Sequence, residues 1–218
     1  AMFEQHKRPL FPATLLTLAT PTQRATKKQA IAPVPHRSPE LGLFSYEVPI
    51  GNGRFAGIMR QDEQYWLAKY GANHLAEKRP LFGGQPGYRF GLFGNTLAVN
   101  PPGRPELMLL DISRKQPQQL TLLQTATFRE TAVFATANTV SPQPVLYRIA
   151  ANWIMRGQLQ NGHYVEDAIT TAHDRQTIFW GSPYRDTIAG YHRIFSENRA
   201  FVISAGRTQE ISLPPAPA

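Results

Sequence analysis

The sequence predicts a predominantly β protein behind an extended N-terminal arm, and three observations carry that prediction. Apolar residues arrive in runs of roughly five to eight, the length of a strand. The 19 prolines and 16 glycines fall between those runs rather than in one block, as turn residues do. The runs themselves are rich in β-branched and aromatic side chains, while helical periodicity is scarce.

The totals bound the answer. At 218 residues the chain is long enough for one sizeable domain or two small ones, with a core that needs no staple. Its hydrophobic share of 42% and charged share of 17% are globular, though low in charge. There is no cysteine, which excludes disulfides, thiolate metal sites and a cysteine nucleophile. The formal charge of +8 comes from 23 basic and 15 acidic residues, with arginine well ahead of lysine. Such a surface favours acidic proteins, nucleic acid or anionic lipid.

Residues 1 to 40 read as an arm or linker. "LFPATLLTLATP", Leu10 to Pro21, offers about half of the roughly 20 apolar residues a membrane helix needs, and it lacks the layout of a signal peptide. Ala1-Met2 reads as a cloning remnant, so a leader or anchor upstream is an expectation. "QRATKKQAIAPVPHRSPE", Gln23 to Glu40, is basic, proline-bearing and aperiodic, the composition of an extended tether.

From Leu41 to Ala218 the chain reads as one β-rich domain. "LFSYEVPI" and "RFAGIMRQ" flank Asn52-Gly53, a hairpin signal because both central residues of a type I′ turn need positive φ. "QYWLAKY", "TLAVN", "ELMLLDI", "QLTLLQTATF" and "TAVFATA" follow as further strands. After them come "VLYRIA", "WIMRGQL", "TIFWGS", "IAGYHRIF" and "AFVISAG". Asn161-Gly162 marks a second hairpin. Two segments compete for helix: Tyr65 to Arg79, with Leu67, Tyr70, His74 and Leu75 on one side but Gly71 within, and Arg148 to Gln158.

The runs also recur. An apolar run, a proline-bearing loop, a second run, a polar break and a third run repeat in units opening at Leu97, Val133 and Ile178. An earlier unit starts near Arg54. The spacings fall near the roughly 40 to 50 residues of a propeller blade, and continuous apolar runs such as "LMLL" and "FVIS" suit strands covered on both faces. The predicted architecture is therefore propeller-like, with a β-sandwich or barrel as the alternative.

Candidate sites are few. "HYVEDAITTAHDRQTIFWGS" gathers His163, Glu166, Asp167, His173 and Asp174, with His192 beyond. Imidazoles and carboxylates could hold a metal or move a proton. The spacing matches no known ligand signature, and a strand would put His163 and Asp167 on one face and Glu166 on the other. The simpler reading is a strand, a turn at "HDRQ" and the next strand, Asp174 capping turn amides. A hydrolase alternative would draw on Glu166, Asp167 and Asp186 with a nearby histidine. For binding, "FGGQPGYRFGLFGN" offers Tyr88, Phe90 and Phe93 as aromatic surfaces, and Arg148, Arg185 and Arg193 stand beside tyrosines or aromatic runs.

No nucleotide fingerprint, phosphate loop or serine-nucleophile motif is present. No cofactor or metal is expected. The function expected is a non-enzymatic interaction module for a protein partner in a bacterial envelope or periplasmic assembly. Nucleic acid or another polyanion is the further alternative, without a motif behind it. A membrane enters only through an upstream anchor.

Overall fold

The structure is a computed structural model that describes residues 44–71, 74–128, 131–172, 177–194 and 197–212. The arm expected over residues 1 to 40 lies outside the described residues. Among the described residues every regular element is a strand.

Four antiparallel sheets of four strands follow one another along the chain, each a simple meander. The first holds β1 (Phe44–Gly51), β2 (Arg54–Gln61), β3 (Gln64–Tyr70) and β4 (Leu75–Gly83). The second holds β5 (Arg89–Phe93), β6 (Thr96–Asn100), β7 (Glu106–Asp111) and β8 (Gln118–Gln124). A two-residue hairpin, β9 (Thr127–Phe128) with β10 (Thr131–Ala132), leads to the third sheet. That sheet comprises β11 (Phe134–Ala137), β12 (Val145–Ala150), β13 (Trp153–Gln160) and β14 (His163–Thr171). The fourth comprises β15 (Ile178–Gly181), β16 (Thr187–Ile194), β17 (Glu197–Ser204) and β18 (Arg207–Ser212). The chain is all-β and propeller-like, with the sheets as blades.

Side-chain patterning explains why the sheets stack. All of Thr96–Asn100 and five of the six residues of Val145–Ala150 are buried, so these second strands need cover on both faces. Ile58 and Leu67 of the first blade meet Phe90, Leu97 and Val99 of the second. The other face of the second blade sends Ala98, Leu107 and Leu109 against Phe134 and Leu146 of the third. The far face of the third sets Tyr147 and Ile154 against Phe179, Ile188 and Phe201 of the fourth. Each fully buried leucine or isoleucine contributes about 1.5–3 kcal/mol.

The first strands of the four blades converge. The Tyr46 hydroxyl on β1 accepts a hydrogen bond from the Leu92 amide on β5 at 3.0 Å. Its proton is free to go to Thr136 Oγ1 on β11, 3.2 Å away, so one phenol ties three blades together. The loop after β11 closes the other end: the Asn138 amide donates to Ser182 O at 2.7 Å and the Val140 amide to Pro183 O at 3.0 Å. The Thr139 hydroxyl donates to Pro49 O at 3.1 Å.

Both expected Asn-Gly hairpins form, with φ of 55° and 68° at Asn52 and Gly53, and 52° and 81° at Asn161 and Gly162. Two alternatives fall away and one ambiguous segment resolves. Four separate sheets replace the two-layer sandwich or closed barrel. Tyr65 to Arg79 is not a helix: it falls into β3 and β4, where Tyr65 and Leu67 face the second blade while Trp66 takes the opposite face. Arg148 to Gln158 resolves as the β12–β13 hairpin. The recurrence is real: Val133 and Ile178 mark the third and fourth blades to within one residue, whereas Arg54 and Leu97 fall in second strands. The blades open at Phe44, Arg89, Phe134 and Ile178, intervals of 45, 45 and 44 residues. Leu97 lies in a second strand, because apolar content peaks there rather than at the start of a blade.

Close approach at the axis makes one glycine obligatory. A Cβ at Gly181 on β15 would overlap the Thr136 carbonyl oxygen on β11. Gly181→Ala must push the third and fourth blades apart, at a cost of about 1–3 kcal/mol. Chemical denaturation should show a lowered midpoint with an unchanged slope. Gly53→Ala makes the contrast, since a Cβ there meets nothing within 4 Å and the left-handed φ alone costs about 1–2 kcal/mol.

Candidate functional site

The converging strands enclose an open cleft of about 390 Å³, within the size range of ligand pockets. All four blades contribute. Tyr46 and Val48 come from β1, Arg89 and Phe90 from β5, Phe134 and Thr136 from β11, and Phe179 and Trp180 from β15. Tyr88 completes one wall and belongs to an aromatic cluster, its ring 5.4 Å from Tyr65 and 5.6 Å from Phe82. Burial pushes the Tyr46 phenol above its ordinary value, against the opposing hydrogen bonds from Leu92 and with Thr136. The wall is thus neutral and rigid there.

Alternation along β15 splits the aromatic pair "FW" between two roles. Phe179 packs inward on Phe201, ring centroids 6.4 Å apart. Trp180 takes the other face and is 61% exposed, with Tyr191 of β16 beside it at 6.4 Å. On this side of the fourth blade Ala189 and Tyr191 are exposed too.

Arginines cross every boundary between blades. From the first blade, Arg79 donates to the carbonyls of Ile112 and Arg114 and pairs with Glu77. Arg148 of the third blade is buried, donates to Gln124 O of the second at 2.5 Å, and is gripped by Glu166, whose carboxylate also receives the Tyr164 hydroxyl at 3.0 Å. Arg156 of the third blade pairs with Asp186 of the fourth at 2.5 Å, and Asp186 accepts the Tyr147 hydroxyl at 2.7 Å. Arg89 is different. Its Nη1 donates to Ala132 O at 2.6 Å and its guanidinium lies 5.3 Å from the Phe134 ring centre. No carboxylate pairs with it among the described residues. Burial holds Arg89 below the usual guanidinium value.

The residues singled out in the sequence are scattered. His163 opens β14, exposed; His163 and Asp167 share one face of that strand and Glu166 the other. His173 and Asp174 lie outside the described residues. His192 is buried and stacked on Phe201 at 5.4 Å. Of the three carboxylates of the hydrolase alternative, Glu166 and Asp186 are each engaged by an arginine and a tyrosine, and Asp167 lies on the exposed face of β14 opposite to Glu166. Among the described residues no three or more histidines and carboxylates group as metal ligands would. Of the aromatic and basic set, Tyr88 and Phe90 reach the cleft. Phe93 is in the core between the second and third blades, Arg148 is in its ion pair, and Arg185 is exposed in the β15–β16 connection. The side chain of Arg193 lies outside the described residues.

Sequence reasoning missed Tyr46, Arg89 and Trp180. Each sits in the first strand of a blade, and the 45-residue interval, once phased on Phe44 and Arg89, would have marked those strands. The two tyrosine–carboxylate–arginine groups carry a pH signature. Burial first, and then the adjoining carboxylate, raise the Tyr147 and Tyr164 phenols well above the ordinary 10.0. Raised phenols stabilise fully below the unfolded value and lose that contribution as pH climbs toward the folded one. Stability in urea should therefore be flat near neutrality and fall above about pH 10. Tyr147→Phe should reduce that alkaline slope, at the expense of the bond to Asp186.

No family model matches the chain, and no curated protein matches it by sequence. Solved structures similar to this chain include two TolB-type proteins. TolB from Acinetobacter baumannii aligns with a TM-score of 0.46 and 11% identity, over 76% of this chain and 42% of that one. A TolB-type protein from Agrobacterium tumefaciens aligns with a TM-score of 0.35 and 11% identity, over 77% and 80% respectively. This chain spans less than half the length of the first.

Proposed function

We propose that the chain is a non-enzymatic interaction module that holds a protein partner at the axial cleft. The observation that carries this reading is the cleft itself. Four inner strands line it, and the lining includes an exposed tryptophan and a cation that has no carboxylate among the described residues. Tryptophan and arginine are the residue types that dominate binding energy at protein interfaces. Turn-rich β scaffolds place function where such groups meet. The arrangement favours binding over hydrolysis, because Glu166 and Asp186 spend their lone pairs on internal partners.

The expected setting is an assembly in the bacterial envelope, on the tether-like composition of residues 1 to 40. Fractionation of cells carrying the full-length gene product tests it, and recovery in the cytosol alone overturns it.

The partner reading is tested by a photo-crosslinking residue placed at Trp180 in the native host, with Leu122 on the outer strand β8 as the exposed control. A defined adduct at Trp180 and none at Leu122 is the expected outcome. Its yield should fall as salt rises from about 0.1 M to about 1 M, where the Debye length shrinks from about 10 to about 3 Å. Equal labelling at both positions, or none at either, removes the cleft as the contact site.

A further inference from the structure

Of the four arginines that cross blade boundaries, Arg79, Arg148 and Arg156 each have a carboxylate, and Arg89 has none among the described residues. Two of its contacts fix its position: the Ala132 carbonyl takes one N–H, and the Phe134 ring lies alongside the guanidinium plane. A guanidinium has five N–H donors in a planar fork. One is spent, so a bidentate edge remains for a second acceptor. Glu47 also lines the cleft, but its carboxylate receives the Tyr70 hydroxyl.

We infer that the partner enters the axial cleft by a carboxylate set next to an apolar side chain, the carboxylate on Arg89 and the apolar group on Trp180. This rests on the cleft being the contact site proposed above. Both residues line the same 390 Å³ space, so one short extended segment touches both. A carboxylate fits better than a phosphate, because phosphate sites gather several arginines and here the lining offers a single cation, with the Glu47 carboxylate among its phenols and aromatic rings. The attraction of an arriving anion offsets the partial burial that lowers Arg89. Two sources share this chemistry: the free C-terminus of a polypeptide, and the side group of an aspartate or glutamate.

The test titrates four blocked tripeptides into uniformly ¹⁵N-labelled protein. They are N-acetyl Gly-Leu-Phe with a free C-terminus, the same sequence as its amide, N-acetyl Glu-Leu-Phe amide and N-acetyl Gln-Leu-Phe amide. The Trp180 indole and Arg89 Nε signals are followed, the former assigned by its loss in Trp180→Phe. Either or both carboxylate peptides should shift these signals, and the pattern tells a terminal carboxylate from a glutamate. The neutral amides should bind about tenfold more weakly or worse, the loss of one charge-assisted pair. Arg89→Gln should abolish the difference between acid and amide, and Arg89→Lys should restore part of it. The comparison of acid with amide on the unaltered protein needs no variant to fold. Equal binding of acids and amides overturns the carboxylate assignment while leaving the cleft as a contact site. If no peptide moves either signal yet crosslinking at Trp180 succeeds, the assignment again falls alone; if both fail, the cleft reading falls with it.

Discussion

Double-sided burial is the constraint on which this molecule depends. A sheet whose second strand is buried along its whole length, as Thr96–Asn100 is, cannot turn either face to water and so needs a neighbour on each side. Stacking supplies the neighbours, and the right-handed twist of each sheet makes the stack fan out from its first strands. Convergence at the axis then follows from packing rather than from any special sequence there. The two end faces cannot be covered this way. The first blade closes its own: Phe44 stacks on Tyr70 at 5.3 Å over Gly57, Phe55 stacks on Tyr70 at 5.8 Å, and Lys78 lies 5.1 Å over Trp66. The fourth leaves Trp180 and Tyr191 in the open. Repeat proteins treat their terminal units differently from the inner ones for the same reason.

Electrostatics refines what hydrophobic stacking starts. Apolar contact alone would let one sheet slide over the next. A guanidinium that must find a carbonyl on one blade and a carboxylate on the same or the adjacent blade permits only one registry. Arg79 with Ile112 O and Glu77, and Arg148 with Gln124 O and Glu166, have this character; Arg156 ties the third blade to the fourth through Asp186 alone. The net stabilisation from such buried pairs is small because desolvation offsets attraction, whereas removal of one partner is severe. Arginine serves here and lysine would not, since its planar fork reaches two acceptors at once.

Strand content, the two Asn-Gly turns and the repeating unit were legible in the sequence because each depends on local chemistry. Positive φ at Asn52 and Gly53 is a property of two residues, and a strand covered on both faces is a run of apolar letters. The phase of the repeat was legible for the third and fourth blades, whose first strands begin at or beside Val133 and Ile178, but not for the first two. The first strands of the second, third and fourth blades are only four or five residues long, "RFGLF", "FATA" and "IFWG", and in the second blade the continuously buried second strand drew attention instead. The short helix read at Tyr65 to Arg79 failed for a related reason: Leu67, Tyr70, His74 and Leu75 satisfy a helical face, yet Leu67 and Tyr70 belong to β3 and Leu75 opens β4. The crowd of charges in His163–Ser182 was visible, but its pairing was not. Glu166 finds Arg148 from 18 residues away and Asp186 finds Arg156 from 30, distances that only the meander explains.

The same meander decides which charge remains available. An arginine within a blade's second or third strand, such as Arg148 or Arg156, lies within side-chain reach of acidic residues on the strands or loops beside it. Arg89 begins an innermost strand. On one side it has β6, where it faces Asn100, and on the other the axis. An inner strand has only one neighbour within its sheet, so a cation there finds its counter-charge across the axis or from outside the molecule. The surrounding backbone is already held by the Tyr46 hydroxyl and by the close pass of Gly181 against β11. A ligand that meets a fixed guanidinium loses little to reorganisation on binding. Position in the sheet, rather than the local sequence around Arg89, makes it the residue that faces outward chemically.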